Sequence, residues 1–310
     1  MSKVFVEGKC GITVTVIADS IGSKTGDRLT TFEFLYPRFC HSELMTHRSF
    51  SRNAASSRAI PIKSVIELVM KSPATPVHWG ANQAGMQAKA ELQGYRLKLA
   101  QFGWSTGRYL VVGVAKFLSK VGLHKQLANR ILETYQMIKV VASATEMNNF
   151  LYLRDHPDAQ PEIAELARCV REAMERSKPE ILEPGQWHTP YVDHIHFDGK
   201  FRYTIDNEGF TVLLSEEDAL KISASCCAQV SYRKSDDSLD KARGIYDRLV
   251  NNKPVHASPF EHQGTPIDLE KELTDDDGIT HMDKKGQLWS GNFCGFVQHR
   301  QKIPDNVKVG

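Results

Sequence analysis

Alternation of apolar and polar residues near the start of the chain predicts two strands. The first covers residues 3–17, with TVTVI at 13–17, and the second covers residues 29–40, with TTFEF at 30–34. β-Branched and aromatic residues at every second position are typical of a strand with one buried face. Residues 293–298 have a similar composition and predict a final strand.

An apolar stripe at helical spacing predicts the clearest helix, over residues 161–176, with Pro161 in its first turn. Residues 62–155 predict mostly helix, and residues 216–250 predict helix and strand. Loops or short strands are expected over 180–210, and a surface loop over the acidic segment 268–288. We therefore predict an α+β fold with a twisted, mainly antiparallel sheet and a long helical section.

Composition excludes several classes of protein. The 310 residues carry 39 Lys and Arg against 37 Asp and Glu, a net charge of +2, so a nucleic-acid partner is not expected and any anion site must be local. No apolar run approaches the ~20 residues that a membrane span needs. The first 20 residues do not resemble a signal peptide. Six scattered cysteines without a Cys-x-x-Cys pair indicate reduced thiols in a cytoplasmic protein.

Residues 47–58 (HRSFSRNAASSR) form the densest polar stretch, with three Arg, one His, one Asn, four Ser and no acid. Arginine binds phosphate through two parallel hydrogen bonds, and serine hydroxyls can fill the remaining acceptor positions. Composition alone leaves an anion site and a solvated basic loop equally open. Residues 289–293 and 298–300 form a second polar-aromatic stretch, which either lines an active site or belongs to a plain strand.

The order of residues in this stretch resembles the signature of the flavin-dependent thymidylate synthases, the ThyX family. Six of nine defined positions match, in the order His47, Arg48, Ser51, Asn53, Ser56 and Arg58. Phe32, Phe34 and Pro37 resemble the lead-in of the family, residues 149–154 (NFLYLR) and 159–163 (AQPEI) resemble its downstream segment, and Arg130 is a looser match. The departures from the family pattern are Thr46 in place of Arg, Ala54 in place of Glu, Ala59 in place of Tyr, Ser143 in place of Asn and Thr145 in place of Arg.

Two further family segments are out of order. Residues 228–232 (AQVSY) and 258–262 (SPFEH) resemble segments that precede the signature in the family but follow it here. We infer a circular permutation, which a fold tolerates when its termini lie close together on the surface. This inference predicts that residues 228–262 fold back beside residues 30–58.

The resemblance also implies a domain organisation. We expect one ThyX-like domain over residues 1–310. Its parts would be a signature loop and helical section (1–178), an insertion or loop region (179–215) and a permuted flavin-binding segment (216–310).

The resemblance implies an enzyme that transfers a one-carbon unit from methylene-tetrahydrofolate to C5 of dUMP. Reduced FAD would supply the hydride, NADPH would reduce the flavin again, and the active sites would be shared in a homotetramer. Two alternatives stay open. One is a flavin-dependent pyrimidine deoxynucleotide hydroxymethylase, which makes the same methylene transfer but ends it with water instead of hydride. The other is a catalytically silent nucleotide-binding homologue.

By family position, FAD would contact His47, Arg48, Asn53, Asn149, Ser231 and His262. The nucleotide would contact Glu43, Ser56, Ser57, Arg58, Arg130 and Arg154, with Arg130 arriving from another subunit. The catalytic candidates are Ser56, Arg58 and Arg154, and Arg154 would face and polarise the uracil ring. No cysteine falls in these segments, in agreement with a family that needs no thiolate. We predict no metal site. His188, His194 and His196 are expected to be surface residues of a polar loop, and the alternative that the family resemblance offers is a wall of the folate or NADPH site.

Overall fold

A six-stranded sheet forms the centre of the protein. The computed structural model describes residues 3–207, 209–230, 238–272, 274 and 277–307. The strands of the central sheet are β1 (Phe5–Glu7), β2 (Thr13–Gly22), β3 (Arg28–Pro37), β4 (Ser51–Ala54), β5 (Met137–Ala144) and β6 (Glu180–Leu182). Their order is β1-β2-β3-β5-β4 with antiparallel neighbours, and β6 pairs with β2 in parallel.

The other elements surround this sheet. The helices are α1 (His41–Met45), α2 (Ile62–Lys71), α3 (Gly94–Lys120), α4 (Lys125–Ala128), α5 (Asn148–Arg154), α6 (Pro161–Arg176), α7 (Glu216–Ala228) and α8 (Leu239–Asn251). The smaller sheets contain β7 (Asp193–Phe197), β8 (Lys200–Asn207), β9 (Phe210–Leu214), β10 (Gly264–Pro266), β11 (His281–Met282), β12 (Leu288–Ser290), β13 (Phe293–Cys294) and β14 (Phe296–Gln298). The predicted α+β class, with antiparallel sheets and a long helical section, is confirmed.

One face of the central sheet packs against α6. Alternate residues of β3, Phe32 and Phe34, are completely buried in the same cluster as Ile163, Leu166 and Val170 of the helix. Each fully buried side chain of this size contributes about 1.5–3 kcal/mol to folding. The predicted helix over 161–176 is confirmed with these bounds, because its apolar stripe lies against the sheet.

Strand β5 corrects the prediction of mostly helix over 62–155. It lies between β3 and β4 in the sheet and is buried on both faces. A strand covered on both sides has an almost continuous apolar run, so alternation cannot reveal it. Residues 216–250 differ as well, since their described parts contain helices α7 and α8 and no strand.

The opposite face of the sheet is covered by the C-terminal part of the chain. Val141 of β5 packs against Cys227 and Val230, and Asn53 Nδ2 donates to the Cys227 carbonyl over 3.1 Å. The turn Ser258–Glu261 contacts β4, which confirms, within the described residues, the expected approach of 228–262 to 30–58. The final strand predicted over 293–298 is interrupted at Gly295, where φ is +70° and an added Cβ would collide with Asp27.

Helix α3 is 27 residues long and has a large exposed apolar face. Its buried side is narrow and includes Val112 and Ala115. The exposed large side chains of the helix, which we call the α3 apolar face, are Tyr95, Leu99, Phe102, Tyr109, Leu110, Val114 and Phe117. Within the described chain, no helix combines the length and the apolar character needed to cross a bilayer.

Candidate functional site

Residues 46–60, the signature loop, run from the end of α1 through β4. Strand β4 is an edge strand that pairs only with β5 in the sheet. Arg52 fixes the start of the loop, since its Nη1 atom donates to the carbonyls of Leu44 and His47 over 3.1 and 2.8 Å. A cation at the last carbonyls of a helix is favourable. Arg52 occupies an undefined position of the signature, so the family pattern does not indicate this role.

The Arg154 cluster consists of Glu43, Thr46, His47 and Arg154. Arg154, at the end of α5, donates from Nε to His47 Nε2 over 2.9 Å and from Nη2 to Thr46 Oγ1 over 3.0 Å. Its Nη1 atom lies 2.9 Å from Glu43 Oε2. The sequence assigned three of these residues to ligand contacts, and the structure brings them together.

His47 is neutral in this arrangement. A guanidinium can only donate, so His47 Nε2 must accept and the proton of the ring lies on Nδ1. Burial and the charges of Arg154 and Arg52 lower the pKa of His47, while Glu43 acts in the opposite direction. The ring packs on Phe50 and meets Phe150 edge-on. His47 therefore holds Arg154 as a fixed acceptor.

The Glu133 cluster consists of Arg38, Ser57, Arg130 and Glu133. One carboxylate oxygen, Glu133 Oε1, accepts from Ser57 Oγ over 2.9 Å and lies 3.0 Å from Arg130 Nη1 and 3.3 Å from Arg38 Nη2. Two guanidinium groups on one carboxylate leave a surplus of positive charge. Arg38 and Glu133 were not singled out from the sequence, because neither lies in a matched segment.

Strand β4 separates the two clusters. Ser51 pairs with Ser143 at one end of the β4–β5 ladder, and Ala54 pairs with Val140 at the other. The C-terminal end of β5, where Ser143 lies, leads into α5 and Arg154. Glu133 precedes the N-terminal end of β5, which is the end nearer Val140. Four strand residues span about 10 Å. The candidate nucleotide residues Arg154 and Ser57 therefore lie at opposite ends of a strand within one chain.

The other predicted site residues divide into accessible and enclosed groups. Arg48 and Arg58 are exposed and have no carboxylate partner among the described residues, and Asn149 is exposed at the start of α5. Ser56 Oγ accepts from the Arg58 amide over 3.3 Å. Asn53 is half-buried and donates to the Cys227 carbonyl, whereas His262 is completely buried, with its Nδ1 atom 2.9 Å from Ser143 Oγ. Ser231 lies outside the described residues.

The second polar-aromatic stretch supports the back of the signature loop. Asn292 Nδ2 donates to the Ser49 carbonyl over 2.8 Å, and Ser51 Oγ lies 3.1 Å from Asn292 Oδ1. Gln298 Nε2 bridges Asn292 Oδ1 and Ser51 Oγ over 2.8 and 3.2 Å. Of the two interpretations left open by the sequence, the contacts favour proximity to the candidate site.

Residues that depart from the family pattern have partners of their own. Thr46 accepts from Arg154, and Thr145 Oγ1 accepts from the Cys294 amide over 2.9 Å. Ser143 bonds to His262. The prediction that His188, His194 and His196 lie on the surface is wrong for two of them. His188 is completely buried, and His194 pairs with Glu180 over 2.6 Å with only 6% of its side chain exposed.

The chemistry of the donors fits a phosphate-bearing ligand. A flavin dinucleotide and a nucleoside monophosphate both present phosphate oxygens, which accept best from guanidinium groups. Arg48 and Arg58 offer such groups with no carboxylate competing among the described residues. Arg48, Asn149 and the Arg154 cluster are the residues that could hold a flavin and a base, and Ser57, Arg58 and Arg130 could hold a phosphate.

The chain resembles known proteins over part of its length. Two solved structures of the UMP/dUMP methylase PolB from Streptomyces cacaoi, bound with 5-Br dUMP and 5-Br UMP, resemble this chain at 14% and 16% identity. Both similarities cover 55% of this chain and have a TM-score of 0.45. They cover 93% of the PolB chain bound with 5-Br dUMP and 92% of the PolB chain bound with 5-Br UMP. No sequence among curated proteins matches. Residues 28–180, which contain both clusters, match the family described as thymidylate synthase complementing protein, and through them the chain belongs to this family, the ThyX family.

Proposed function

We propose that this protein is a FAD-dependent enzyme that transfers a one-carbon unit from methylene-tetrahydrofolate to C5 of dUMP, with NADPH as the reductant. The observation that carries the proposal is the Arg154 cluster. It joins the signature loop to the arginine that the family pattern assigns to the uracil ring. Family membership over 28–180 supports the same reaction class.

Arg154 would polarise the pyrimidine. A guanidinium has five N–H donors, and the cluster uses one from each nitrogen, so the remaining two can reach a ring carbonyl. C5 is nucleophilic in the enolate-like form of the uracil, whose carbonyl oxygens carry negative charge, and a fixed cation stabilises that form. His47 and Glu43 hold the guanidinium in place before the substrate arrives. When bound, reduced FAD would supply the hydride that completes the methyl group.

The phosphate would bind at the Glu133 end of the signature loop. Arg58 is exposed there, and Arg130, with 52% of its side chain exposed, shares Glu133 with Ser57. These groups supply charge-assisted donors to a phosphate, each contributing about 1.5–3 kcal/mol. Ser56 borders this surface through its bond with the Arg58 amide.

We also propose a homotetramer with shared active sites, which two observations support. The phosphate and base residues lie at opposite ends of β4 in one chain, so a second copy can bring the complementary end. The α3 apolar face presents Leu99, Phe102 and Phe117, each at least 62% exposed, and contiguous exposed apolar side chains mark an interaction surface. We expect Phe102→Glu to lower the oligomeric mass measured by light scattering.

The hydroxymethylase is the second candidate, and Thr46 favours it. The family has an arginine at this position, whereas here a hydroxyl accepts from Arg154. One cation fewer beside a bound flavin would weaken the hydride step and leave water to end the reaction.

We propose in addition that residues 1–310 form a single ThyX-like domain with the segments given above, and that the protein is cytoplasmic, since its six cysteines are free thiols.

Product identification tests the proposal. We would incubate the protein with FAD, dUMP, methylene-tetrahydrofolate and NADPH and identify the nucleotide by mass spectrometry. A methyl product is expected, and a hydroxymethyl product would assign the alternative. Lack of any product on pyrimidine deoxynucleotides, from a protein that binds them, would establish the silent homologue instead. Arg171→Ala, which removes an exposed arginine paired with Asp155 on α6, is the control for Arg154→Ala.

A further inference from the structure

A continuous chain of hydrogen bonds crosses the central sheet, and we call it the buried relay. It runs Ser20, His188, Thr31, Ser143, His262. The successive distances are 2.8 Å (Ser20 Oγ to His188 Nδ1), 2.8 Å (His188 Nε2 to Thr31 Oγ1), 2.6 Å (Thr31 Oγ1 to Ser143 Oγ) and 2.9 Å (Ser143 Oγ to His262 Nδ1). All five side chains are at most 1% exposed.

Each member of the buried relay can both donate and accept. A hydroxyl has one proton and two lone pairs, and a neutral imidazole has one N–H and one lone pair. Burial lowers the pKa of His188 and of His262 to about 3, so both rings are neutral near pH 7. The same five groups can therefore be hydrogen-bonded in either direction along the chain.

The direction of the bonds decides what His262 Nε2 can do. If Ser20 donates into the relay, Ser143 donates to His262 Nδ1, and Nε2 carries the proton. If the bonds run the other way, Nδ1 carries the proton and Nε2 is an acceptor. Nε2 is buried and has no hydrogen-bond partner among the described residues. A buried imidazole nitrogen without a partner is costly unless a ligand or water meets it.

The other end of the relay borders open space. Ser20 lines a cavity of about 340 Å³ together with Asp19, Lys178, Glu180 and His194. Ionisable groups and space for water at this end can accept or supply a proton. The relay therefore connects a cavity with polar walls and room for water to a buried nitrogen that has no partner among the described residues.

Two features without a counterpart in the family pattern meet in the relay. His188 comes from the 180–215 segment, which has no counterpart, and Ser143 stands where the family has an asparagine. The backbone of His188 is fixed by two hydrogen bonds with Gly264, two residues beyond His262. The inserted segment thus fixes the ring that completes the chain.

We propose that the buried relay carries one proton from His262 Nε2 to the cavity at Ser20, and one proton back, in each catalytic cycle. This rests on the proposed function, in which carbon replaces the hydrogen at C5 and one proton leaves the pyrimidine. The proton binds Nε2, and the Nδ1 proton passes to Ser143. Protons then move in turn from Ser143 to Thr31, from Thr31 to His188 Nε2, from His188 Nδ1 to Ser20, and from Ser20 to cavity water. Every group ends neutral, with its hydrogen bonds reversed. The starting directions return when the nitrogen of the departing folate takes the proton from Nε2 and cavity water supplies a proton through the same steps in reverse.

A matched pair of variants at Thr31 tests the relay. Thr31→Val keeps the volume and removes the hydroxyl, whereas Thr31→Ser keeps the hydroxyl. Nitrogen-15 NMR of the imidazoles in the ligand-free protein reports which nitrogen carries the proton. We expect Thr31→Val and Ser143→Ala to change the tautomer populations of both His188 and His262, and Thr31→Ser to preserve them. Ser223→Ala removes a buried hydroxyl that accepts from Gln263, outside the relay, and should preserve them too.

Turnover gives the second readout. We expect Thr31→Val and Ser143→Ala to lower kcat by about 100-fold, the lower range for a lost proton-transfer group, with KM for the nucleotide unchanged. The proton inventory in mixed H₂O and D₂O should be curved in the wild type and in Thr31→Ser. Unchanged tautomers in both hydroxyl-deleting variants, or wild-type kcat in both, would overturn the relay. Absence of turnover in the wild type would overturn the proposed function alone, since the tautomer measurement still decides the relay.

Discussion

The two clusters at the ends of β4 have opposite charge arrangements. In the Arg154 cluster, one guanidinium serves three acceptors, of which one is a carboxylate. In the Glu133 cluster, one carboxylate serves three donors, of which two are guanidinium groups. The first cluster is charge-balanced and fixes a cation in one orientation. The second retains net positive charge and attracts anions. The Arg154 cluster, at one end of β4, therefore orients a bound ligand, and the Glu133 cluster, at the other end, attracts its negative charge.

Removing the shared cation should have the largest effect. Arg154→Ala should lower kcat by about 100- to 1,000-fold, the cost of deleting one fixed donor of this kind. Nucleotide affinity, which depends on the other cluster, should change by less than about tenfold. Rapid-quench kinetics and calorimetry measure the two quantities. The control Arg171→Ala should leave both unchanged, and equal losses of kcat and affinity in Arg154→Ala would contradict the division of roles.

Arg58→Ala should show the reverse pattern. Loss of a charge-assisted phosphate contact of about 1.5–3 kcal/mol corresponds to a 10- to 100-fold rise in Kd for dUMP. At saturating nucleotide, kcat should stay within about threefold of the wild type, because the Arg154 cluster is intact. The salt dependence of binding should also become weaker. A Kd equal to the wild-type value would remove Arg58 from the phosphate site.

Acidification should affect the Arg154 cluster first. The pKa of His47 lies below its ordinary value of 6.5, so the ring stays neutral at pH 7 and accepts from Arg154. As the pH falls through this lowered pKa, Nε2 gains a proton and the bond is lost. We expect kcat to fall below pH 6.5, approaching tenfold per pH unit.

The same lowered pKa has a consequence for stability. The unfolded chain takes up the His47 proton at a higher pH than the folded protein does. This contribution to folding stability is therefore present above pH 6.5 and is lost as the pH falls. The nucleotide phosphate also titrates near pH 6, so His47→Gln is the reference for the kinetics. Its pH profile should lack the additional fall, and two identical profiles would show that His47 does not control the arginine.

The smallest effect is expected for Glu133→Gln. The amide keeps a hydrogen-bond acceptor but removes the charge, so Arg38 and Arg130 become freer for phosphate. We expect dUMP affinity to rise about two- to threefold and unfolding free energy in urea to fall by about 1 kcal/mol, since the group is partly exposed. Glu172→Gln on α6, whose carboxylate also joins two arginines, is the matched control for stability. Only Glu133→Gln should alter nucleotide binding.

Local patterns predicted the parts of the fold whose hydrophobic period is simple. The first half of β2 (residues 13–16), the second half of β3 (residues 32–36) and helix α6 have one buried face each, so their sequences alternate with the period of the element. Strand β5 is buried on both faces and has no such period. Its position between β3 and β4 depends on contacts distant in sequence.

The candidate site was predictable where its residues belong to an ordered motif. The signature loop and residues 149–154 led to Glu43, His47 and Arg154, which meet in the structure. Arg38 and Glu133 are single charged residues in unmatched segments, and a lone charge is usually a solvated surface group. His188 shows the same limit, since only the folded chain brings it beside Thr31 and Ser20.

The support of the signature loop by Asn292 and Gln298 bears on how far the family-matched segment can be shortened or transplanted. A fragment ending at residue 180 would keep both clusters in its sequence. It would lose the two amides behind Ser49 and Ser51 and the side chains that cover Val141. The exposed edge of β4 and an uncovered sheet face would then invite association with other chains. The part of this chain that can be transferred with its site intact is therefore larger than the family-matched segment 28–180.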